Sequence, residues 1–212
     1  MDAQIADILE PQLEAAVPRE PEAWWWFGSA GAVVLIGVLS ARSGARIPLL
    51  WGVDFGIHEF GHLVTFWAPW PLTAAAGSFF QVAFPLGLAA YFLFGRHEPW
   101  AAAPLLAWAG ASARNVAVYI ADAPFQRLEL WGAPGVRHDW ATLLAGPALR
   151  YAGALAGTVE FVGWLMIAAA LVLVTVRPAR AWSVRLRAER TAAEDLARHA
   201  TLPVREPHGP IG

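Results

Sequence analysis

Two imidazoles and a carboxylate stand within five residues of one another in His58-Glu59-Phe60-Gly61-His62. This is the HExxH spacing of zinc hydrolases. On a helix, residues four apart share a face, so His58 and His62 can bind one tetrahedral metal ion. Glu59, beside the first of them, is placed to take a proton from water activated at that metal. Asp54 falls one turn earlier on the same face and could orient His58 from behind.

The surrounding sequence raises the weight of the pattern. Residues 46–70 are apolar enough and long enough to cross a bilayer. An ionisable group at the centre of a membrane helix costs on the order of 2.5–3.5 kcal/mol. Asp54, His58, Glu59 and His62 lie together in this one segment, a burden that a purely structural helix has no reason to carry.

The rest of the chain supplies the elements that would hold such a group. Its 212 residues are 57% apolar and only 15% charged, against about 25% charged in soluble domains. With twelve Trp and eleven Phe, this predicts an all-α integral membrane protein with one membrane domain. The net charge of −2 points away from nucleic acid. The absence of cysteine excludes disulfides, thiolate metal ligands and a cysteine nucleophile.

Five spans are predicted, at about 24–40, 46–70, 72–95, 99–122 and 154–176, with Gly146-Pro147 dividing the last apolar tract. Trp24-Trp25-Trp26 reads as an interfacial anchor. Residues 1–23 form an acidic segment with a short amphipathic stretch, 24–176 the membrane domain, and 177–212 a basic tail ending in a Pro-rich, disordered dozen residues. Arg180, Arg185, Arg187 and Arg190 with Trp182 and Leu186 suggest a helix lying on an anionic membrane surface. The positive-inside rule puts this cluster in the cytoplasm and the N-terminus outside, as expected in a bacterial plasma membrane. Every inside loop then carries Arg, and His62 lies about 12 Å below the outer surface.

A catalytic zinc needs three protein ligands and one open position. At the right depth the candidates are Asp122, at the end of the fourth span, and His138 and Asp139 at the start of the next tract. Any one could complete the site while the others hold ligands in place. Ser78, Gln81 and Pro85 share one face of the third span, suited either to interhelical hydrogen bonds or to the unpaired backbone of an unwound substrate. Arg150 and Glu160 could pair inside the bundle.

His58-Glu59-Phe60-Gly61-His62 in a span, with Asn115 and Asp122 seven residues apart in a later parallel span, resembles the site-two protease family of intramembrane zinc metalloproteases. The resemblance implies zinc as cofactor, Asp122 as third ligand and Asn115 as a group that binds the peptide or the oxyanion. Arg114 and Tyr119 are further candidates for the oxyanion. It also implies membrane lipids as surroundings and a transmembrane or membrane-proximal polypeptide as substrate. The chain departs from the family in reading Tyr-Ile-Ala-Asp-Ala where the family carries a Pro-rich Asp-Gly signature, and no inserted PDZ-like domain is visible. Together with Gly77-Ser78-Phe79-Phe80-Gln81 and His138-Asp139-Trp140, these motifs are also similar to a set of small, largely uncharacterised bacterial membrane proteins, over residues 47–145. Two other expectations use the same residues: a zinc hydrolase acting on a lipid-like substrate, and a metal or proton carrier, the latter disfavoured by the lack of an inverted repeat.

Overall fold

The structure is a computed structural model that describes residues 23–130 and 137–200, with side chains described through 176. The acidic segment 1–22, the last dozen residues and the side chains of the basic cluster at 177–190 lie outside the described residues. The chain forms α1 (Ala23–Arg42), α2 (Leu50–Val64), α3 (Trp70–Ala90), α4 (Pro99–Asp122), a short α5 (Asp139–Leu143) and α6 (Ala152–Ala200). A π-helical turn, Tyr91–Gly95, extends α3, and a 3₁₀ turn, Gly146–Tyr151, leads into α6. No strand occurs among the described residues. Prolines mark the starts: Pro71 sits in the first turn of α3 and Pro99 opens α4, positions where the missing N–H has no helical partner to lose.

Three segments are long and apolar enough to cross a membrane: Trp24–Arg42, Trp70–Gly95 and Gly146–Val176. The two further predicted spans differ from them for physical reasons. Helix α2 has 15 residues, about 22 Å of rise, short of a hydrocarbon core of about 30 Å. Helix α4 has 24 residues but is Ala-rich and carries Arg114 and Asn115. It is the axis of the bundle, packed most extensively against α6 and also against α3 and α1. Val118 is the sole large apolar side chain that α4 exposes. The surrounding helices turn Phe27, Leu35, Phe79, Phe94, Phe161, Leu165 and Val172 outward. A helix with no lipid-facing stripe needs no high hydropathy, which is why α4 is less apolar than the three segments named above. The backbone of α6 runs unbroken to Ala200. The expected break after 176 into a separate surface helix is therefore not seen.

Small residues let the axis pack closely. A Cβ on Gly110 of α4 would stand 2.5 Å from the carbonyl oxygen of Gly163, and one on Gly163 would stand 2.6 Å from that of Gly110. The two backbones touch at this crossing, the close approach that stabilises helix pairs in lipid. Next to it, Arg114 donates to Ser40 Oγ of α1 at 2.5 Å and to Glu160 Oε1 of α6 at 3.2 Å, and lies 4.0 Å over the Trp164 ring. Glu160 thus pairs with Arg114, whereas Arg150 donates to Tyr151 Oη. The expected Arg150–Glu160 pair does not form, and Arg114 serves the helix packing. Replacing Gly110 with Val should destabilise the bundle by about 1–3 kcal/mol through overpacking. The check is a lowered thermal unfolding midpoint of the full chain in detergent, with Gly87→Ala, in open space, as the neutral comparison.

Candidate metal centre

The pattern in α2 does form one helical turn. His58 and His62 lie with ring centroids 4.8 Å apart. Helix α2 crosses α3 at Gly61, where a Cβ would stand 2.6 Å from the Ala76 carbonyl oxygen. That contact brings both histidines against α3. His58 Nδ1 lies 3.2 Å from Gln81 Oε1, and His62 Nδ1 lies 2.8 Å from the backbone oxygen of Thr73. Gln81 in turn donates from Nε2 to Asn115 Oδ1 at 3.0 Å, which leaves its own oxygen for His58. Both Nδ1 atoms therefore act as donors, and both Nε2 atoms carry lone pairs. This is how metal-binding histidines are oriented.

The third member comes from α5. Asp139 Oδ2 lies 3.2 Å from His58 Nε2 and 3.3 Å from His62 Nε2. These three residues form a group able to hold a metal ion. Three lone-pair atoms facing one another at this range need positive charge between them, either protons or a cation. Burial opposes charge on Asp139, yet when protons fill that role the hydrogen bonds from His58 and His62 prevail and hold its carboxyl at about 2, so it stays anionic at neutral pH.

The remaining candidates hold Asp139 in place. The Asp139 backbone N–H donates to Tyr119 Oη at 3.1 Å, and that hydroxyl lies 3.4 Å from Asp139 Oδ2. The Tyr119 ring stacks on His138, with centroids 4.2 Å apart. His138 Nδ1 accepts from the Ala141 backbone N–H, capping α5, and its Nε2 lies 3.5 Å from Asp122 Oδ2. Burial pushes the His138 imidazole below its ordinary value, against the pull of Asp122 and Asp139 toward the charged form. Asp122 accepts from the backbone N–H groups of Arg127 and Leu128, each at 3.0 Å. Trp140 Nε1 donates to Ser78 Oγ at 3.0 Å and pins α5 onto α3.

Of the three candidates for third ligand, the structure places Asp139 against the imidazoles, with Asp122 and His138 one layer further out. Asp54 does not meet His58: it accepts from Trp108 Nε1 at 2.7 Å and Ser112 Oγ at 2.9 Å, tying α2 to α4. Gln81 and the Thr73 carbonyl do the orienting expected of Asp54. Ser78 and Gln81 are buried and committed to α5 and His58, so neither is free to meet a substrate. Gln81 carried a sequence signal, its place on the polar face of the third span. The Thr73 contact is made by a backbone atom and leaves no mark in residue type.

A cavity of about 470 Å³ opens over this group, between α2, α4 and the connector that follows α4. Glu59, Asn115 and Tyr119 line it beside His58, His62 and Asp139, with Phe55, Val118 and Leu128 as apolar wall. Glu59 is exposed there and forms no hydrogen bond or ion pair among the described residues.

Comparison with protein-family models, curated proteins and solved structures yields no match. The geometry alone sets the ranking of ligands. Replacing Asp139 with Asn should weaken divalent-metal binding about as much as His58→Ala. Asp122→Asn should cost no more than about 10–100-fold, as for groups behind the ligands. Metal titration of the purified chain and its variants measures each directly.

Proposed function

We propose that the chain is a membrane-embedded zinc hydrolase that cleaves peptide bonds within or beside the bilayer of a bacterial plasma membrane. One observation carries the reading: His58, His62 and Asp139 converge on the wall of a cavity that also presents the Glu59 carboxylate. Two imidazoles, one carboxylate and a cavity-facing side match the three-ligand, open-position design of catalytic zinc sites. The nitrogen and oxygen donor set, with no thiolate anywhere in the chain, suits zinc. When bound, zinc polarises a carbonyl and lowers the pKa of water toward about 7.

The chain's own groups then take distinct parts. Glu59, unpaired on the cavity wall among the described residues, holds the proton removed from water and passes it to the leaving amine. Asn115 accepts from Gln81 through Oδ1, which leaves its Nδ2 donors for the oxyanion or the substrate peptide. Tyr119 keeps Asp139 oriented. In this reading the kinship with site-two proteases lies in the HExxH helix and the cavity asparagine, and the third ligand is Asp139.

The membrane arrangement supports the same scheme. Helices α2 and α4 act as second and fourth spans, parallel and tied at Asp54, with Arg42, Arg46 and Arg96 on the cytoplasmic side. The N-terminus is then outside, the C-terminus cytoplasmic, and the metal group closer to the outer face. Lipids surround the bundle, and a transmembrane or membrane-proximal polypeptide is the substrate.

Glu59→Gln is the decisive variant. In nanodiscs, against a panel of peptide and lipid substrates, it should cut peptide hydrolysis by about 10²–10⁴-fold while zinc content stays unchanged. Undiminished turnover would remove Glu59 from the mechanism, and turnover confined to the lipid substrates would reassign the substrate class.

A further inference from the structure

The Gly77-Ser78-Phe79-Phe80-Gln81 motif holds a residue that neither the ligand set nor the mechanism has used. Gly77 is buried on α3, directly beneath the two imidazoles. A Cβ built on it would lie 2.6 Å from His58 Nε2 and 2.6 Å from His62 Nε2. No carbon can stand that close to a ring nitrogen, so any residue other than glycine must drive both rings away. The position is specific. Gly87, on the same helix, would meet nothing within 4 Å.

We propose that Gly77 is a positioning residue of the metal centre: by carrying no side chain, it leaves against α3 the space in which the ligand atoms of His58, His62 and Asp139 can converge on one ion. This rests on the reading of those three residues as ligands. It adds a statement about where the open position lies. The α3 side of the group is closed by a Cα that has no donor to offer, so a further ligand can reach the ion only from the cavity, past Glu59 and Asn115. A structural metal site would be closed by a fourth protein donor; here the fourth side is backbone carbon on one hand and cavity on the other.

The two glycines at the α2–α3 crossing make different predictions, which separates positioning from packing. At Gly61 the added methyl would strike the Ala76 carbonyl, backbone that cannot swing aside. At Gly77 it would strike the free ends of two side chains, which can rotate out of the way at the expense of their bonds to Gln81 and Thr73. Gly77→Ala should therefore fold and yet fail to assemble the site.

The experiment uses the full chain in detergent, stripped of metal and titrated with Zn(II), and with Co(II) as a spectroscopic probe. Gly77→Ala should bind either ion at least about 100-fold more weakly than wild type and lose the four-coordinate Co(II) absorption. Its metal-free unfolding midpoint should fall far less than that of Gly61→Ala. Gly87→Ala should match wild type in both measurements. Wild-type affinity in Gly77→Ala would overturn the role of Gly77 while leaving the centre intact. A stability loss in metal-free Gly77→Ala as large as that of Gly61→Ala would reduce its role to packing. Failure of the wild-type chain itself to bind either ion would overturn the centre and this inference together.

Discussion

Three lone-pair atoms pointed at one another set the terms for the rest of the molecule. His58 Nε2, His62 Nε2 and Asp139 Oδ2 repel unless positive charge lies between them, so the protein must spend structure on holding them together. It does so with a separate device for each. Gln81 fixes one imidazole, the Thr73 carbonyl fixes the other, and Tyr119 with the α5 cap fixes the carboxylate. The second layer reaches across α3, α4 and the connector. No single helix carries the group: α2 brings the two imidazoles and α5 the carboxylate, and α3 and α4 hold them in place.

The bundle around the site is sorted by depth from lipid. Aromatic and branched side chains of α1, α3 and α6 face outward. Polar groups turn inward, onto α4. Asp54, Ser112, Asn115, Gln81 and Arg114 each find partners there, which removes most of the cost of polar atoms in a low-dielectric interior. Alanine and glycine make α4 thin enough to serve as that axis. The Arg114 clamp to Ser40 and Glu160 lies on the side of α4 toward α1 and α6, remote from the metal group, and secures the axis without competing with it. Loss of Glu160 there would leave the buried Arg114 charge with less compensation, whereas Glu160 itself is half exposed and partly solvated.

Much of this was legible in the sequence, because the strongest signals were the expensive ones. The four ionisable groups of α2 stand out against an apolar background, and the spacing of His58 and His62 alone places both rings on one face. His138-Asp139 was visible as a polar pair at the head of an apolar tract. The choice among Asp122, His138 and Asp139 was not legible, since it depends on how the connector after α4 folds back, and no periodicity governs a connector. Family resemblance favoured Asp122, whose carboxylate is instead taken by two backbone amides of that connector. Asp54 misled for a related reason: helical spacing fixes the face a residue shares, but not which neighbouring helix claims it. Of the five predicted spans, three are long and apolar enough to cross a membrane by themselves; α4 is less apolar because its side chains face other helices, and α2 is short.

Helix α2 is short and packs against one neighbour. A helix that spans the full hydrocarbon thickness with a lipid-facing stripe would bury its polar face against neighbours along its whole length. Helix α2 packs closely on α3 alone and meets α4 through the Asp54 contacts, which leaves the space between α2 and α4 open as the cavity. Across that separation α4 reaches the group through Tyr119, whose ring lies 6.0 Å from that of His58 and whose hydroxyl accepts from the Asp139 backbone N–H. A short helix inserted from the connector bridges that gap, and α5 with Asp139 at its first residue is that insert. Cavity and the placing of Asp139 thus both follow from one feature of the packing: α2 lies closely on α3 and meets the axis of the bundle through side chains such as Asp54.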